Sequence, residues 1–204
     1  MKKILALVLA MMMVLSLGAC SGETEPETVE IVPARGTVEN GIYKNEAFGV
    51  TFSAGENWYF LNDDEIAVSM GVAAEEIYGE GTEIVGDHIY DVYCVENTTG
   101  GTVSINYEDL GTIGGMTDAN YYLETVMTTL LSSGAKDGVV DSSITNIKIG
   151  EYEVPCLNIV LEYAGTTIYQ KVIVKQSGSW MATATLASLS EDEINSLVGM
   201  LSFE

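Results

Sequence analysis

The amino-acid sequence predicts an α+β domain, a three-layer α/β/α sandwich with a mostly antiparallel sheet. Several β-rich segments in the C-terminal half are apolar on both faces, so we expect helices to cover both sides of one sheet. The links between these segments are too short for parallel crossovers, which favours antiparallel neighbours. Amphipathic segments at helical spacing alternate with the β-rich ones and can supply the two outer layers.

The chain begins with a segment typical of an export signal. Two lysines precede the apolar run 4–17, which is shorter than the roughly 20 residues that span a bilayer. Its last residue begins the sequence Leu17-Gly18-Ala19-Cys20, which resembles the bacterial lipobox. We therefore expect residues 1–19 to be a lipoprotein signal peptide and Cys20 to carry palmitate or a similar acyl group. The expected location is the extracytoplasmic face of the cell membrane, with a cytosolic protein or a secreted protein cut elsewhere as alternatives.

Acidic side chains dominate the composition. The whole chain has 30 Asp and Glu against 8 Lys and Arg, a net charge of −22. Without Lys2 and Lys3 of the leader, 6 basic side chains face the 30 acidic ones, so the net charge becomes about −24. Such a surface is repelled by nucleic acid phosphates and by anionic headgroups, which excludes a nucleic acid partner and an electrostatic membrane patch. Solubility is the simplest interpretation of the charge, and binding of divalent cations or basic partners is the alternative.

Two regions follow the leader. Residues 20–40 comprise the acylated cysteine and an acidic segment with two prolines and no periodicity, which predicts a disordered tether spanning on the order of 25 Å. Residues 41–204 are long enough for one globular domain with its own core.

The N-terminal half of this domain predicts a strand, a helix and a hairpin. Apolar and small residues alternate over 48–53, which indicates a strand with one buried face. Acidic residues that suit a helix dipole begin at Asp63, and Gly71 is expected to end that helix. The β-rich segments 89–95 and 103–107 are separated by a turn sequence, which predicts a hairpin.

The C-terminal half predicts the longest helix, a meander and a closing helix. Thr117 or Asp118 can cap the long helix, and Gly134 fits its C-terminal cap. A capping-box pattern at 190–193 opens the closing helix. Strand periodicity is found in three segments, 154–163, 166–175 and 180–187.

Several short motifs resemble a known fold family. Residues 41–45, 48–52 and Trp58 resemble the opening of Mog1/PsbP-like domains, and the order of the elements fits. Within that fold the chain looks most like small Firmicutes lipoproteins of uncharacterised function. The matching segments are Asp64–Ala67, Tyr90–Tyr93, Ser104–Gly111 and Ser202–Phe203. The resemblance covers about residues 41–204 and transfers no catalytic residue. Mog1/PsbP-like domains mostly act as binding or assembly factors, which implies a binding role by analogy.

Residues that carry chemistry are few and scattered. No G-x-S-x-G pattern accompanies His88, the one histidine, which we interpret as an exposed loop residue rather than part of a triad. Cys94 and Cys156 form either a disulfide or two buried free thiols. The acidic clusters 63–65 and 191–193 lie at helix starts, where capping explains them better than calcium binding. We therefore expect no catalytic residue, no metal ion and no cofactor.

Tyrosine is the most frequent aromatic residue, with eleven copies. These side chains could line an aromatic groove, but we interpret most of them as core residues and Trp58 as a core anchor. The candidates for a groove are Tyr43, Tyr59, Tyr90, Tyr93, Tyr107, Tyr121 and Tyr122. The glycine-containing run 110–115 lacks the lysine of a phosphate-binding loop and predicts a loop before the long helix.

These observations favour a lipid-anchored, non-enzymatic module that binds or helps assemble an envelope protein. A cell-surface hydrolase is the first alternative and would require a pocket in which ionisable groups of perturbed pKa converge. A small-ligand-binding lipoprotein is the second and would require a cavity that encloses its ligand.

Overall fold

The computed structural model describes residues 32–71, 87–114, 117–133 and 136–204. The expected signal peptide 1–19, the lipidation site Cys20 and the first part of the tether lie outside the described residues. Within the described ranges, no helix has the length and apolar character needed to span a bilayer.

Strands account for most of the regular structure. They are β1 (Thr37–Glu39), β2 (Ile42–Asn45), β3 (Val50–Ser53), β4 (Trp58–Phe60), β5 (His88–Glu96), β6 (Thr102–Asp109), β7 (Val139–Ile149), β8 (Tyr152–Tyr163), β9 (Thr166–Ser177), β10 (Trp180–Ser188) and β11 (Leu201–Phe203). The helices are α1 (Asp63–Met70), α2 (Gly111–Gly114), α3 (Ala119–Ser132) and α4 (Glu191–Val198), with a 3-10 turn at Lys136–Gly138.

The large sheet contains seven of the described strands in the order β4-β5-β6-β10-β9-β8-β7, and each neighbouring pair is antiparallel. Ala164 and Gly165 join β8 to β9 with φ angles of 51° and 79°, as a two-residue hairpin turn requires. The register between β5 and β6 shifts between Tyr90 and Val92, so Asp91 lies in a bulge.

One face of the large sheet is covered by a second, smaller sheet together with α4. The small sheet has the order β1-β2-β3-β11 and is also antiparallel. Phe48 stacks on Tyr107 of the large sheet with ring centroids 3.9 Å apart. Trp58 meets Phe52 edge-on at 5.3 Å, which agrees with its expected role as a core anchor.

The opposite face of the large sheet carries α1 and α3. Helix α1 buries Ile66, Ala67 and Met70 against the sheet. Helix α3 contributes Leu123 and Leu130 to the same core cluster and lies over β7, β8 and β9. We call this side of the large sheet the helix face.

The predicted three-layer α/β/α sandwich is therefore wrong. The protein is mostly β, with two antiparallel sheets and short helices. A sheet that is apolar on both faces must be packed against other elements on both sides. A second sheet can form one of these layers just as helices can. Here β2, β3 and β11, rather than a helical layer, cover much of one face.

The expected tether does not extend to residue 40. Thr37–Glu39 forms β1, which pairs with β2, so these residues belong to the small sheet rather than to the tether. Helix α1 begins at Asp63 as predicted, and Gly71 ends it in the left-handed conformation with φ 68°.

Candidate functional site

His88 lies on a strand, not in a loop. It begins β5, is partly buried, and its ring lies 4.3 Å from that of Tyr90. The interpretation of His88 as an exposed loop residue is therefore wrong.

Cys94 and Cys156 are free thiols buried in the core between the two sheets. Burial raises the pKa of Cys94 far above its usual range, and the Cys94 thiol donates to the carbonyl of Val103 at 3.6 Å. Burial raises the pKa of Cys156 to about 11, against the opposing effect of nearby Lys171. Thiols of this kind are poor nucleophiles at neutral pH, and their place in the structure is that of small apolar side chains.

The acidic clusters cap helices, as predicted. Asn62 and Glu65 form a reciprocal capping box at α1, with both hydrogen bonds at 3.0 Å. At α4, Ser190 accepts from the backbone N–H of Glu193, but the Glu193 carboxylate accepts from Ser188 instead of closing the box. Among the described residues, no group of three or more His, Cys, Asp or Glu side chains is placed to hold a metal ion.

A buried carboxylate, Asp91, holds the segment that precedes β1. Its side chain is 1% exposed and accepts from the backbone N–H of Gly36 at 2.8 Å, the hydroxyl of Tyr43 at 2.6 Å and the amide of Asn45 at 2.8 Å. The Nε atom of Arg35 lies 3.6 Å from Oδ1 of Asp91. The same guanidinium donates one hydrogen bond to each carboxylate oxygen of Asp63, at the start of α1. The cluster fixes the segment that leads to β1 against both β5 and α1.

The Asp91 cluster has a structural role because its groups satisfy one another. Tyr43 also shares a hydrogen bond of 2.7 Å with Tyr107. Burial, followed by the negative charge of Asp91, raises the pKa of Tyr43 well above its usual range, so its hydroxyl stays protonated. The sequence prediction missed this site because Arg35 and Asp91 are 56 positions apart and no local pattern joins them.

A second group of buried polar side chains lies on the helix face and lacks partners. Each member is no more than 4% exposed. Its polar atoms have no hydrogen-bond partner among the residues that the structure describes. We call this group the polar floor; it consists of Tyr93, Thr102, Gln170, Thr183 and Thr185.

The register of four adjacent strands brings the polar floor together. Thr185 on β10 lies opposite Ser104 on β6, which lies opposite Tyr93 on β5. In the next row on the same face, Ala187 on β10 lies opposite Thr102 on β6 and opposite Gln170 on β9. Because directly opposed residues share a face, these side chains form one surface, which extends about 14 Å across the strands.

The polar floor is costly if nothing binds to it. A buried polar group without a partner costs about 1–3 kcal/mol. Burial raises the pKa of Tyr93, and the neighbouring hydroxyl of Thr102 opposes that rise. Partners from outside the described residues are therefore needed, and ordered water or a ligand can supply them.

Two grooves border the helices on the floor side of the sheet. The first has a volume of about 370 Å³ and lies between α1 and the strands β4 and β5. Its lining includes Tyr93 of the polar floor and also Tyr59, which is 48% exposed. The Tyr59 hydroxyl donates to Glu65, and this contact raises the pKa of Tyr59. The first groove is thus lined both by an exposed tyrosine and by a buried tyrosine of the polar floor.

The second groove is smaller, about 110 Å³, and lies beside α3. Its lining includes Tyr121, which is 61% exposed, and the pair Tyr122 and Glu108. Tyr122 donates to Glu108 at 2.9 Å. Burial raises the pKa of Glu108 to about 6. The hydrogen bond from Tyr122 lowers this pKa, and the negative charge of Asp87 raises it. Of the seven tyrosines proposed for an aromatic groove, Tyr59 and Tyr121 are the exposed ones that line these grooves.

Comparisons with known proteins assign no family to this chain. No protein-family model matches the sequence. No curated protein matches it either. The resemblance to Firmicutes lipoproteins with Mog1/PsbP-like domains therefore has no support from a family model or a curated relative.

Solved structures show distant likenesses. One is LpqN, described as involved in cell envelope biogenesis of Mycobacterium tuberculosis, with a TM-score of 0.41 and 11% identity over 75% of this chain and 82% of that chain. Another is a protein of Bacteroides thetaiotaomicron, with a TM-score of 0.40 and 12% identity over 84% of this chain. The present chain spans about half, 48%, of that second protein. Likenesses at these scores define neither family nor function.

Proposed function

We propose that this chain is an exported, lipid-anchored binding protein that acts without catalysis on the outer side of a cell membrane. The observation that carries the binding role is the first groove, about 370 Å³ in volume, which is lined by the half-exposed Tyr59 and by Tyr93 of the polar floor. Hydroxyl and amide groups of this kind recognise a ligand, but they do not exchange protons near neutral pH. The lipobox-like sequence that ends at Cys20 supports the anchor.

The anchor has a direct test with a matched control. Cells that express the full chain are labelled with an alkyne analogue of palmitate, and the protein is then recovered. We expect label in the wild type and in Cys156→Ala, but none in Cys20→Ala, which should leave the membrane fraction. Labelled Cys20→Ala, or wild-type protein in the cytosol with its leader attached, would contradict the anchor.

The binding role needs a separate measurement. Mature protein tagged at its C-terminus is recovered from its own envelope and compared with Tyr93→Phe, which removes the one hydroxyl of the polar floor whose side chain lines the first groove. We expect a small molecule or envelope component to accompany the wild type and to be depleted from the variant. Equal recovery from the two proteins would contradict a binding role for the first groove.

A further inference from the structure

We propose that the edge strand β7 is a dimerisation surface, at which a second copy of this chain adds its own β7 in antiparallel orientation. The pairing joins the large sheets of the two copies into one continuous sheet. Strand β7 lies at one end of the large sheet, whereas the first groove lies at the other end, beside β4. The inference therefore goes beyond the proposed binding role and does not depend on it.

Strand β7 is by far the longest edge among the described strands. It has 11 residues, Val139–Ile149, and of the described strands it pairs with β8 alone. The other described edges, β4, β1 and β11, have three residues each. An open edge presents unpaired N–H and C=O groups, which proteins usually avoid by shortening the strand or by placing proline in it. Strand β7 contains no proline, and its register is regular after a bulge at its first residues.

The hairpin between β7 and β8 shows which backbone groups of β7 face outward. Gly150 and Glu151 form a two-residue turn, with φ 60° at Gly150, so the flanking residues Ile149 and Tyr152 exchange backbone hydrogen bonds. Bonded and non-bonded pairs alternate from there along the strand, so every second residue directs its N–H and C=O away from β8. These residues are Ser142, Ile144, Asn146 and Lys148. Pro155, which has no N–H, lies opposite one of them, as this pattern requires.

The outward residues of β7 are complementary to their own copy. Antiparallel pairing of two identical strands requires a two-fold axis perpendicular to the sheet. Only an axis at Thr145 brings all four outward residues of one copy opposite those of the other. Ser142 then faces Lys148 and Ile144 faces Asn146, each twice, which gives about eight backbone hydrogen bonds. Thr145 faces Thr145 of the other copy, which is a favourable cross-strand pair, and no like charges face each other.

Charge favours a second copy as the occupant of this edge. Asp141 and Lys148 are the charged residues of β7, so the strand has no net charge in a chain whose net charge is −22. Two acidic copies therefore repel each other least along this strand. The two-fold pairing also uses the long edge of both copies and leaves three-residue edges among the described strands, so assembly stops at the dimer. An extended segment of another protein is the alternative that the experiment distinguishes.

A cysteine placed on the proposed axis tests the pairing. In Thr145→Cys, the two thiols face each other at a non-bonded pair, whose Cα atoms lie about 4.5 Å apart, within the range of a disulfide. In the control Ser143→Cys, which is also exposed and on the same side of β7, the two Cα atoms lie about 13 Å apart. Both variants also carry Cys156→Ala, because Cys156 lies directly opposite Thr145 within one copy.

Cells that express each variant as the full chain are treated with copper phenanthroline in air, which oxidises pairs of adjacent thiols. Non-reducing gel electrophoresis and mass spectrometry identify the products. We expect a disulfide-linked homodimer for Thr145→Cys and monomer for Ser143→Cys. Monomer in both variants, or equal cross-linking of both, would overturn the proposed pairing. A disulfide between Thr145→Cys and a different protein would also overturn it, because the occupant of the edge would then be a foreign segment.

Sedimentation velocity provides a second measurement that needs no cysteine. We expect the mature chain, residues 21–204, to sediment as a monomer in equilibrium with a dimer. Thr145→Glu places two like charges opposite each other and should weaken the dimer about 3- to 5-fold more than Ser143→Glu, which adds the same charge opposite Ile147. Equal effects of the two variants would overturn the axis at Thr145. A wild-type chain that stays monomeric at about millimolar concentration would overturn the dimer.

Discussion

At the residue scale, Asp91 shows how one buried charge can fix a segment that precedes a sheet. Its carboxylate is 1% exposed and accepts hydrogen bonds from Gly36, Tyr43 and Asn45 beside the cation Arg35. A buried carboxylate is tolerated when every lone pair that faces the protein is occupied, as it is here. The bulge at the β5–β6 register shift places this side chain, so backbone irregularity and charge burial occur at one position.

We predict that Asp91→Asn destabilises the mature domain by about 3 kcal/mol. The amide cannot accept from all of these donors, and Arg35 loses one of its two carboxylate partners. Urea unfolding followed by tryptophan fluorescence measures the loss. Glu56→Gln removes one acidic charge at an exposed position and should change stability by less than about 0.5 kcal/mol. Equal unfolding midpoints for the two variants would show that the Asp91 cluster contributes nothing.

Glu108 gives a second prediction at this scale, on pH. Its pKa is about 6 in the folded domain, compared with 4.5 for an ordinary glutamate side chain. The folded state therefore holds the proton more tightly than the unfolded state does. The resulting stabilisation is fully present below pH 4.5 and is lost as the pH rises through 6. Glu108→Gln should therefore be more stable than the wild type at pH 8, by up to about 1 kcal/mol after allowance for partial exposure, with a smaller advantage at pH 4.

The pH test compares free energies of unfolding for the two proteins from pH 4 to pH 8. The exposed Glu151→Gln serves as the control, because it removes a charge in the β7–β8 turn. A difference between wild type and Glu108→Gln that stays constant over this range would contradict the raised pKa of Glu108.

At the element scale, local signals predicted the elements whose sequence carries them. Helix α1 begins and ends where its acidic first turn and Gly71 indicated, since both signals act through their own neighbours. Strand β7 was not predicted, because it lies at the edge of the large sheet and most of its side chains are exposed. Residues such as Ser143, Thr145 and Asn146 therefore show no alternation of polar and apolar side chains. The polar floor was not predicted for a related reason. Its threonines lie in β-rich segments, where Thr is a common residue. Only the register of the strands brings them together.

The capping box of α1 provides the prediction at this scale. Asn62→Ala should cost about 1 kcal/mol of stability, because the N–H of Glu65 loses its acceptor. Asn120→Ala changes the same residue type at an exposed position inside α3, where no cap is lost, and should stay within about 0.5 kcal/mol of the wild type. Urea unfolding measures both variants, and an equal loss in the two would contradict a capping role for Asn62.

At the scale of the whole molecule, the fold depended on long-range pairing that periodicity does not encode. The alternation at 48–53 correctly indicated a strand with one buried face, and β3 is that strand. Nothing in these residues indicated that β3 would pair with β2 and β11 instead of extending the large sheet. One of these partners, β11, lies about 150 positions further along the chain, beyond the reach of any local pattern, and the three-layer prediction failed for that reason.

Net charge is the property of the whole molecule with the most direct physical consequence. A chain of net charge −22 repels itself when compact, and this repulsion opposes folding. The described ion pairs are few and concern Arg35 and Lys44, so they offset little of it. Salt shortens the Debye length from about 30 Å at 0.01 M to about 3 Å at 1 M, which weakens repulsion between distant carboxylates.

We therefore predict that the thermal midpoint of the mature domain rises by several degrees between about 0.01 M and 0.5 M NaCl at pH 7.5, with most of the rise below about 0.2 M. Circular dichroism measures the midpoint, and KCl should give the same curve because screening depends on ionic strength rather than on the identity of the ion. A rise that continues in proportion to salt concentration would indicate strengthened apolar burial instead. A midpoint that falls on adding salt would mean that attractive ion pairs outweigh the repulsion of the acidic surface.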